Sequence, residues 1–465
     1  MGSQVPGARA PPHGPVVGAS RAESDRLIVD LRQMILALET TLDLVGMNDP
    51  HHGKRVAYIA SRLTHQLGGG EEACQQAFDL GLIHDCGVST VAERTNVRSF
   101  FDWEDAHVHG EIGYALLRDF KPLQHLAVPV RHHHTPWVDL ERLPGVSMQD
   151  KLRANVLFLS DRVEILAAGH YGHGVLLVRP EIVQRIEALR GRYFAPEVVD
   201  AFLGAEAREA FWITLEDRHI IRHAWEMGLT ARPQPLSPAE LKTLSLLIAY
   251  VVDRRSPFTA RHSVRVAALA RFLATEVGLR PERVDQVEVA ALLHDIGKLR
   301  VPDEILNKAG PFTPMERAIM QQHSYETYAI LRAVRGLESV ARWAAYHHEG
   351  LDGSGYPFHP AAAEIELEAR VVAVADVVQA LVQDRPYRPG MDHEAVLAVT
   401  ARMAADGKLD PSLVALVDFH AARCLRIARG EDEEYALAEI PFARLDEITH
   451  DLPDPAAPAL KAGAR

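Results

Sequence analysis

Cysteine is scarce in this chain: Cys74, Cys86 and Cys424 are the only three in 465 residues. They are too scattered for a disulfide framework or a zinc knuckle, and their low number fits a reducing compartment. Long apolar runs are missing as well. The longest, Leu244 to Val252, is flanked by Lys242 and Asp253 and falls well short of a membrane span. Residues Met1 to Ser20 are rich in Pro, Gly and Ala without a continuous apolar stretch, which excludes a signal peptide or anchor and predicts a cytoplasmic protein. Basic charge is in deficit, with 50 Lys plus Arg against 63 Asp plus Glu and a formal charge of −13. That balance excludes a broad binding face for duplex nucleic acid or an anionic membrane. An anionic substrate must therefore be held by local cations. Alternating β-branched segments are also scarce, and apolar residues recur at helical spacing almost throughout, so an all-α fold is expected.

What the chain does have is a histidine and aspartate pattern written twice. The second copy reads His262, His294-Asp295, His323, His347-His348 and Asp376; the first reads His52, His84-Asp85, His109, His133-His134 and Asp161. His52 and His84 lie 210 residues before His262 and His294, and His109 and His133 lie 214 before His323 and His347. An offset that long means a duplicated domain, because solenoid repeats are far shorter. Five imidazoles and two carboxylates converging on one pocket suit a pair of divalent first-row metals, with an aspartate able to bridge them. Phosphoester hydrolysis is the chemistry such a site performs. Asp376 sits in Val371-Val-Ala-Val-Ala-Asp-Val-Val378 and Asp161 in Val156-Leu-Phe-Leu-Ser-Asp161. A carboxylate in such apolar surroundings needs a metal, a cation or strong donors. Cys86, beside His84-Asp85, reads as a small buried filler.

The organisation follows from the duplication. Residues 1–20 form a loose lead, 21–230 a first domain, 231–238 a linker, 239–450 a second domain and 451–465 a loose tail. Leu27, Ile28, Leu31, Met34, Ile35 and Leu38 give Glu23 to Leu44 the spacing of an amphipathic helix, mirrored by Leu241 to Val252 in the second copy. The prolines of Ala231-Arg-Pro-Gln-Pro-Leu-Ser-Pro238 favour an extended connection, with Ser237 and Pro238 suited to cap the next helix. Glu282 to Leu299 is expected to be one helix carrying His294 and Asp295 and ended by Gly297. His323 is placed in a helix over Met315 to Val334, His347-His348 at the end of Val340 to His348, and Asp376 within Val371 to Leu381.

His262-Ser-Val-Arg-Val-Ala, Leu293-His-Asp-Ile-Gly-Lys298, His347-His-Glu-Gly-Leu-Asp-Gly-Ser-Gly-Tyr-Pro357 and Asp384-Arg-Pro-Tyr-Arg388 resemble the HD-GYP branch of the HD phosphohydrolases, over about Leu241 to Ala421. The wider HD resemblance reaches His52 through Asp161. It implies two tandem HD-domain helical bundles, each around a dinuclear-type metal pocket. It further implies hydrolysis of cyclic di-GMP to the linear dinucleotide pGpG, and in some members to GMP, by a metal-bridging hydroxide. Iron or manganese is the implied metal, two ions per active site, and His294, Asp295 and Lys298 are the implied catalytic group. Asp295 is expected to bridge the ions and Lys298 to meet charge developing on the phosphate. Arg385, Arg388 and Tyr356 complete the implied substrate contacts: the arginines on the second phosphate, Tyr356 against a guanine. The Gly353-Ser-Gly-Tyr-Pro357 loop is implied to dock cyclic di-GMP synthases of the GGDEF type, and Glu349 is expected to orient a ligand imidazole.

The departures are equally specific. Phe258 stands where some relatives have an acid for a third metal, so two metals are expected, and Thr327 replaces a customary glycine. In the first copy Cys86-Gly-Val88 follows His84-Asp85 with no lysine, Thr135-Pro-Trp137 follows the His pair, the Gly-Tyr-Pro loop is missing, and His170 and His173 stand in place of the two arginines. The first domain therefore reads as a metal-binding, substrate-altered relative serving regulation or homodimer contacts. Two rivals remain at this point: a phosphohydrolase for another nucleotide, such as a mixed cyclic dinucleotide or a guanosine polyphosphate, and a non-catalytic signalling scaffold.

Overall fold

The computed structural model describes residues 27–44, 50–88, 106–172, 174–230, 232–255, 261–384 and 389–435. Among these residues every regular element is helical, and the only extended pairings are two isolated bridges, Asp30 with Pro235 and Arg190 with Phe194. No helix among them is long and apolar enough to cross a membrane. The expected lead 1–20 and tail 451–465 lie outside the described residues.

The two copies repeat one order of elements. In the first, helices His52–Gln66, Glu71–Ile83, Ala106–Leu117, Gln124–His132 and Met148–Ala167 carry the duplicated residues. In the second the same parts are His262–Glu276, Pro281–Leu293, Pro314–Leu331, Glu338–Ala345 and Leu367–Val382. Local chemistry sets several starts. Ser237 caps the helix Pro238–Asp253 in a reciprocal capping box with Glu240, and Thr313 does so for Pro314–Leu331 with Glu316, each with proline in the first turn.

Two expected boundaries differ. Residues 23–26 of the expected amphipathic helix lie outside the described residues, and among the described ones the helix begins at Leu31, because the Asp30 side chain accepts from the Arg32 and Gln33 amides and fixes the N-terminus there. Leu27 to Val29 instead run beside the linker: the Leu236 amide donates to Val29 O at 2.8 Å and the Leu31 amide to Gln234 O at 2.9 Å. Ile28 is consequently exposed. The helix bearing His294 stops at Leu293, and the chain turns at Asp295 into a 3₁₀ segment, Ile296–Arg300. Gly297 does not end the helix. It lets that turn press on its neighbour, since a Cβ there would lie 2.1 Å from the His323 carbonyl oxygen.

The two bundles are not separate bodies of oil. One buried apolar cluster runs from Val29 and Met34 through Phe78 and Leu126 to Leu293, Trp343 and Ala428, joining both copies. A second, around Phe158, Phe194, Phe202 and Trp212, belongs to the first copy alone. The helix Leu31–Asp43 packs on Glu71–Ile83 of its own copy and also on Pro314–Leu331 and the Ile296–Arg300 turn of the other. The first copy thus rests directly against the elements that carry His323 and Lys298.

Candidate metal centre

Four imidazoles of the second copy come from a helix end or an adjoining turn and one from the middle of a helix, which places five rings around one space inside the bundle. His294 caps Pro281–Leu293, His262 opens His262–Glu276, His323 lies midway along Pro314–Leu331, and His347 and His348 form a 3₁₀ turn after Ala345. Asp376 projects from the buried helix Leu367–Val382. All seven side chains singled out from spacing in this copy are brought together. His294, His323, His347, His348, Asp295 and Asp376 could hold metal in overlapping groups with His262.

The hydrogen bonds fix what these rings present. His294, His323 and His347 each place Nδ1 at 2.6–2.7 Å from the backbone carbonyl three residues earlier, Ala291, Met320 and Ala344. A carbonyl only accepts, so each Nδ1 carries the proton and each Nε2 of the neutral ring offers a lone pair. Those lone pairs converge, with His323 and His347 Nε2 atoms 3.3 Å apart and His262 and His294 Nε2 atoms also 3.3 Å apart. His323 and His347, both held neutral by burial, repel when they face each other this way unless a cation lies between them. Burial, then the neighbouring His348, pushes His323 down to about 3, and burial holds His348 at about 4, so both rings are neutral at physiological pH.

Asp295 faces both halves of this set. Its Oδ2 lies 3.2 Å from His294 Nε2 and 3.5 Å from His262 Nε2, while Oδ1 lies 3.6 Å from His323 Nε2 and 3.8 Å from His347 Nε2. Asp376 Oδ1 is 3.3 Å from His262 Nε2 and 3.8 Å from His294 Nε2. Oδ1 of Asp295 is buried and accepts no hydrogen bond, an expensive condition for a carboxylate oxygen that a cation would relieve. Donor type, lone-pair direction and this orphaned oxygen fit divalent metal ions.

His294 has a consequence for pH. Burial acts to lower it, but the charge and hydrogen bond of Asp295, then Asp376, more than reverse this and lift it to about 9. The metal-free ring is therefore protonated at pH 7, and a metal must displace that proton. Manganese uptake at pH 7 is expected to release about one proton from this ring, with affinity rising with pH and levelling near pH 9. By the same linkage the metal-free chain holds this extra stability fully below the ordinary histidine value of 6.5 and loses it as pH rises through about 9. Calorimetry in buffers of different ionisation heat checks the release; an affinity flat between pH 6 and 9 would contradict it.

The surroundings place the remaining expected residues and correct one of them, Glu349. Lys298 Nζ donates to Asp295 Oδ2, from a side chain 20% exposed, so it meets the carboxylate and the solvent side together. Glu349 does not orient an imidazole: its Oε1 accepts from the Phe358 amide at 2.7 Å and so ties down the Gly-Tyr-Pro loop. Tyr356 lies against the rings, 4.8 Å from His348 and 6.4 Å from His323 between centroids, as a wall of the pocket. Thr327 has a definite task, its hydroxyl donating to His294 O at 3.0 Å and accepting from the Gly297 amide at 3.1 Å. Arg385, Arg388, Phe258 and His173 lie outside the described residues.

Gln379 was missed. Its Oε1 takes the His262 Nδ1 proton at 2.5 Å, from a position one helical turn beyond Asp376. The signal was a lone amide in the apolar run after Asp376, and Glu164 repeats it one turn beyond Asp161. Such partners orient a ligand ring and raise its basicity. Gln379→Leu is expected to weaken metal binding by roughly 10–100-fold while leaving the fold intact. Competition with a chelator of known affinity measures this, and unchanged affinity would refute it.

The first copy assembles the same figure. His52 and His84 Nε2 atoms are 3.3 Å apart, and His109 Nε2 lies 3.2 Å from the Nε2 atoms of both His133 and His134. His84 and His133 place Nδ1 on the carbonyls of Gly81 and Val130, and His52 Nδ1 on Glu164 Oε2 at 2.6 Å. Asp85 Oδ1 is 3.4 Å from His84 Nε2 and 3.6 Å from His109 Nε2, and Asp161 Oδ1 is 3.4 Å from His52 Nε2. Burial, then His109, pushes His133 down to about 3. Two differences stand out. Val88 stands where the second copy has Lys298, and Arg162, buried, donates to Asp161 Oδ2 at 2.6 Å. Cys86 is a buried free thiol that burial raises to about 12, an inert filler. His170 is exposed in a 3₁₀ turn.

Comparison with known proteins agrees with the duplication. The HD domain family matches twice, at residues 51–166 and 246–413. The 3′3′-cGAMP-specific phosphodiesterase 1 of Vibrio cholerae is 37% identical over 389 residues, 82% of this chain and 90% of that protein. The cyclic di-GMP phosphodiesterase response regulator RpfG of Xanthomonas campestris pv. campestris is 39% identical over 175 residues, 37% of this chain and 46% of its own length. A crystal structure described as a cyclic GMP-AMP specific phosphodiesterase of V. cholerae, V-cGAP3, aligns over 88% of this chain and 99% of that one, with a TM-score of 0.57 at 22% identity, a likeness of fold.

Proposed function

This chain belongs to the HD-GYP family of HD-domain metal-dependent phosphohydrolases, and from that premise we propose that its second domain, residues 239–450, hydrolyses the 3′3′-linked mixed cyclic dinucleotide of GMP and AMP. The observation that carries the choice of substrate is that a 3′3′-cGAMP-specific phosphodiesterase matches both domains in tandem over 90% of its length. Cyclic di-GMP is the second reading, favoured by the relatives of that activity that match about 37–38% of this chain.

His262, His294 and Asp376 would hold one divalent ion, His323, His347 and His348 the other, with Asp295 shared between them; iron and manganese both suit such mixed nitrogen and oxygen donors. Bound there, the pair would acidify a water and polarise the scissile phosphodiester. The protein's own part is positional. Backbone carbonyls hold three rings in the ligating tautomer. Lys298 offsets charge that develops on the phosphate oxygens, which is worth most in a site screened from water. Tyr356 closes the side of the pocket next to His348. The same reading makes the first domain a second metal-holding site without turnover, because Val88 supplies no cation.

The test is a panel of metal-loaded reactions with 3′3′-cGAMP, cyclic di-GMP and cyclic di-AMP, products followed by chromatography. A kcat/KM for 3′3′-cGAMP at least ~10-fold above the others is expected, about 1.4 kcal/mol of discrimination. Parity, or preference for cyclic di-GMP, would turn the assignment to the second reading. Metal counting on the full chain tests the first domain: His109→Ala should lower the number of bound ions, and no change would leave the first cluster a hydrogen-bonded network.

A further inference from the structure

Two consecutive arginines end the helix Pro238–Asp253, and they reach in different directions. Arg254 Nη1 donates to the Gly87 carbonyl at 3.2 Å, crossing into the first copy just beyond His84-Asp85. Arg255, with a side chain 1% exposed, donates from Nη1 to the carbonyls of Lys298 at 3.1 Å and Leu299 at 2.5 Å, and from Nε to Asp303 at 3.1 Å. One helix end therefore holds the turn that follows the His-Asp pair in both domains.

Both turns are themselves pinned. A Cβ on Gly87 would lie 2.0 Å from the His109 carbonyl oxygen, as one on Gly297 would lie 2.1 Å from that of His323. The backbone of each turn packs directly against its histidine helix, with no room for a side chain between them. Contacts thus run without a break from the His109 helix to Gly87, Arg254, Arg255, the Lys298 turn and the His323 helix. The arrangement is one-sided: the residues 210 positions earlier are Leu44 and Val45, so the first copy carries no equivalent pair.

We propose that Arg254 and Arg255 form a brace through which the first domain sets the position of Lys298, with Arg255 a positioning residue for Lys298 and Arg254 the link to the His84-Asp85 turn. A guanidinium suits this because its planar fork holds the Lys298 and Leu299 carbonyls from Nη1 while Nε meets Asp303, a spread that one ammonium nitrogen does not cover. Occupancy of the first cluster, by ordering the His84 to Gly87 turn, would then tune hydrolysis in the second domain. The proposal rests on the reading of Lys298 as the cation that faces substrate.

The test uses the full metal-loaded chain with 3′3′-cGAMP and reads kcat, KM, bound metal and amide exchange over residues 296–301. Arg255→Ala is expected to lower kcat ~10-fold or more with KM within ~3-fold and second-domain metal retained, and Arg255→Lys to restore only part. Arg254→Ala and His109→Ala should each lower kcat severalfold, and the double variant should be no worse than the more impaired single one, because both cut the same path. Additive losses would overturn the brace. Should Arg255→Ala fail to fold, the Arg254 and His109 variants decide alone. Exchange over 296–301 should rise ~10-fold in both, and this readout holds even if no cyclic dinucleotide is hydrolysed. Unchanged exchange would overturn the proposal whatever the substrate proves to be.

Discussion

Asp295→Ala is expected to abolish hydrolysis, a loss of at least about 10³-fold in kcat/KM or ~4 kcal/mol of transition-state stabilisation. The reason is geometric. Asp295 is the one side chain whose two oxygens face both halves of the imidazole set, at 3.2 Å from His294 and 3.6 Å from His323. Its removal would take a donor that both proposed metal positions share and would leave Lys298 Nζ without the carboxylate it now meets. Bound metal should fall in parallel with activity. His294→Ala should behave alike, since it removes a ring 3.3 Å from His262 and 3.2 Å from Asp295. Turnover close to the unaltered protein in either variant, measured on purified chain with metal content determined in the same sample, would refute the assignment.

Lys298→Ala separates binding of metal from catalysis. The ammonium group competes with a metal ion for Asp295 Oδ2, so removing it should leave metal affinity equal or slightly higher. Without it, charge developing on the phosphate loses a nearby cation, a loss on the order of 10²-fold in kcat for donors of this kind. KM should change much less. Lys298→Arg is expected to recover little, because a broad planar guanidinium does not reproduce the compact ammonium charge set on Asp295 Oδ2. A kcat within threefold of the unaltered chain would place Lys298 among ordinary helix-end lysines.

Much of the centre was legible because duplication supplies its own control. One buried aspartate in an apolar run is ambiguous, but Asp161 and Asp376 occupy the same place in two copies, and the histidines recur with them. Side chains that touch only backbone left no such trace. The sequence extends the helix through His294 to about Leu299 because Ile296, Lys298 and Leu299 are all compatible with helix. Its stop at Leu293 comes from tertiary contacts, Gly297 on the His323 carbonyl and Thr327 bridging His294 to Gly297. Glu349 looked like a partner for the adjacent histidines, yet a carboxylate next in sequence to a ring points past it, and the Phe358 amide captures it. Gln379 was visible in principle, one turn from Asp376, and would have been found by asking what each ligating imidazole does with its other nitrogen. The union of the two domains in one apolar core has no local signature, since it depends on which faces of Leu31–Asp43 find Pro314–Leu331.

Anomalous diffraction from crystals of the manganese- or iron-loaded chain tests the central claim most directly. Two peaks are expected in the second domain, one among His262, His294 and Asp376 and one among His323, His347 and His348, with the Asp295 carboxylate between them. A single peak, or peaks away from these side chains, would contradict it.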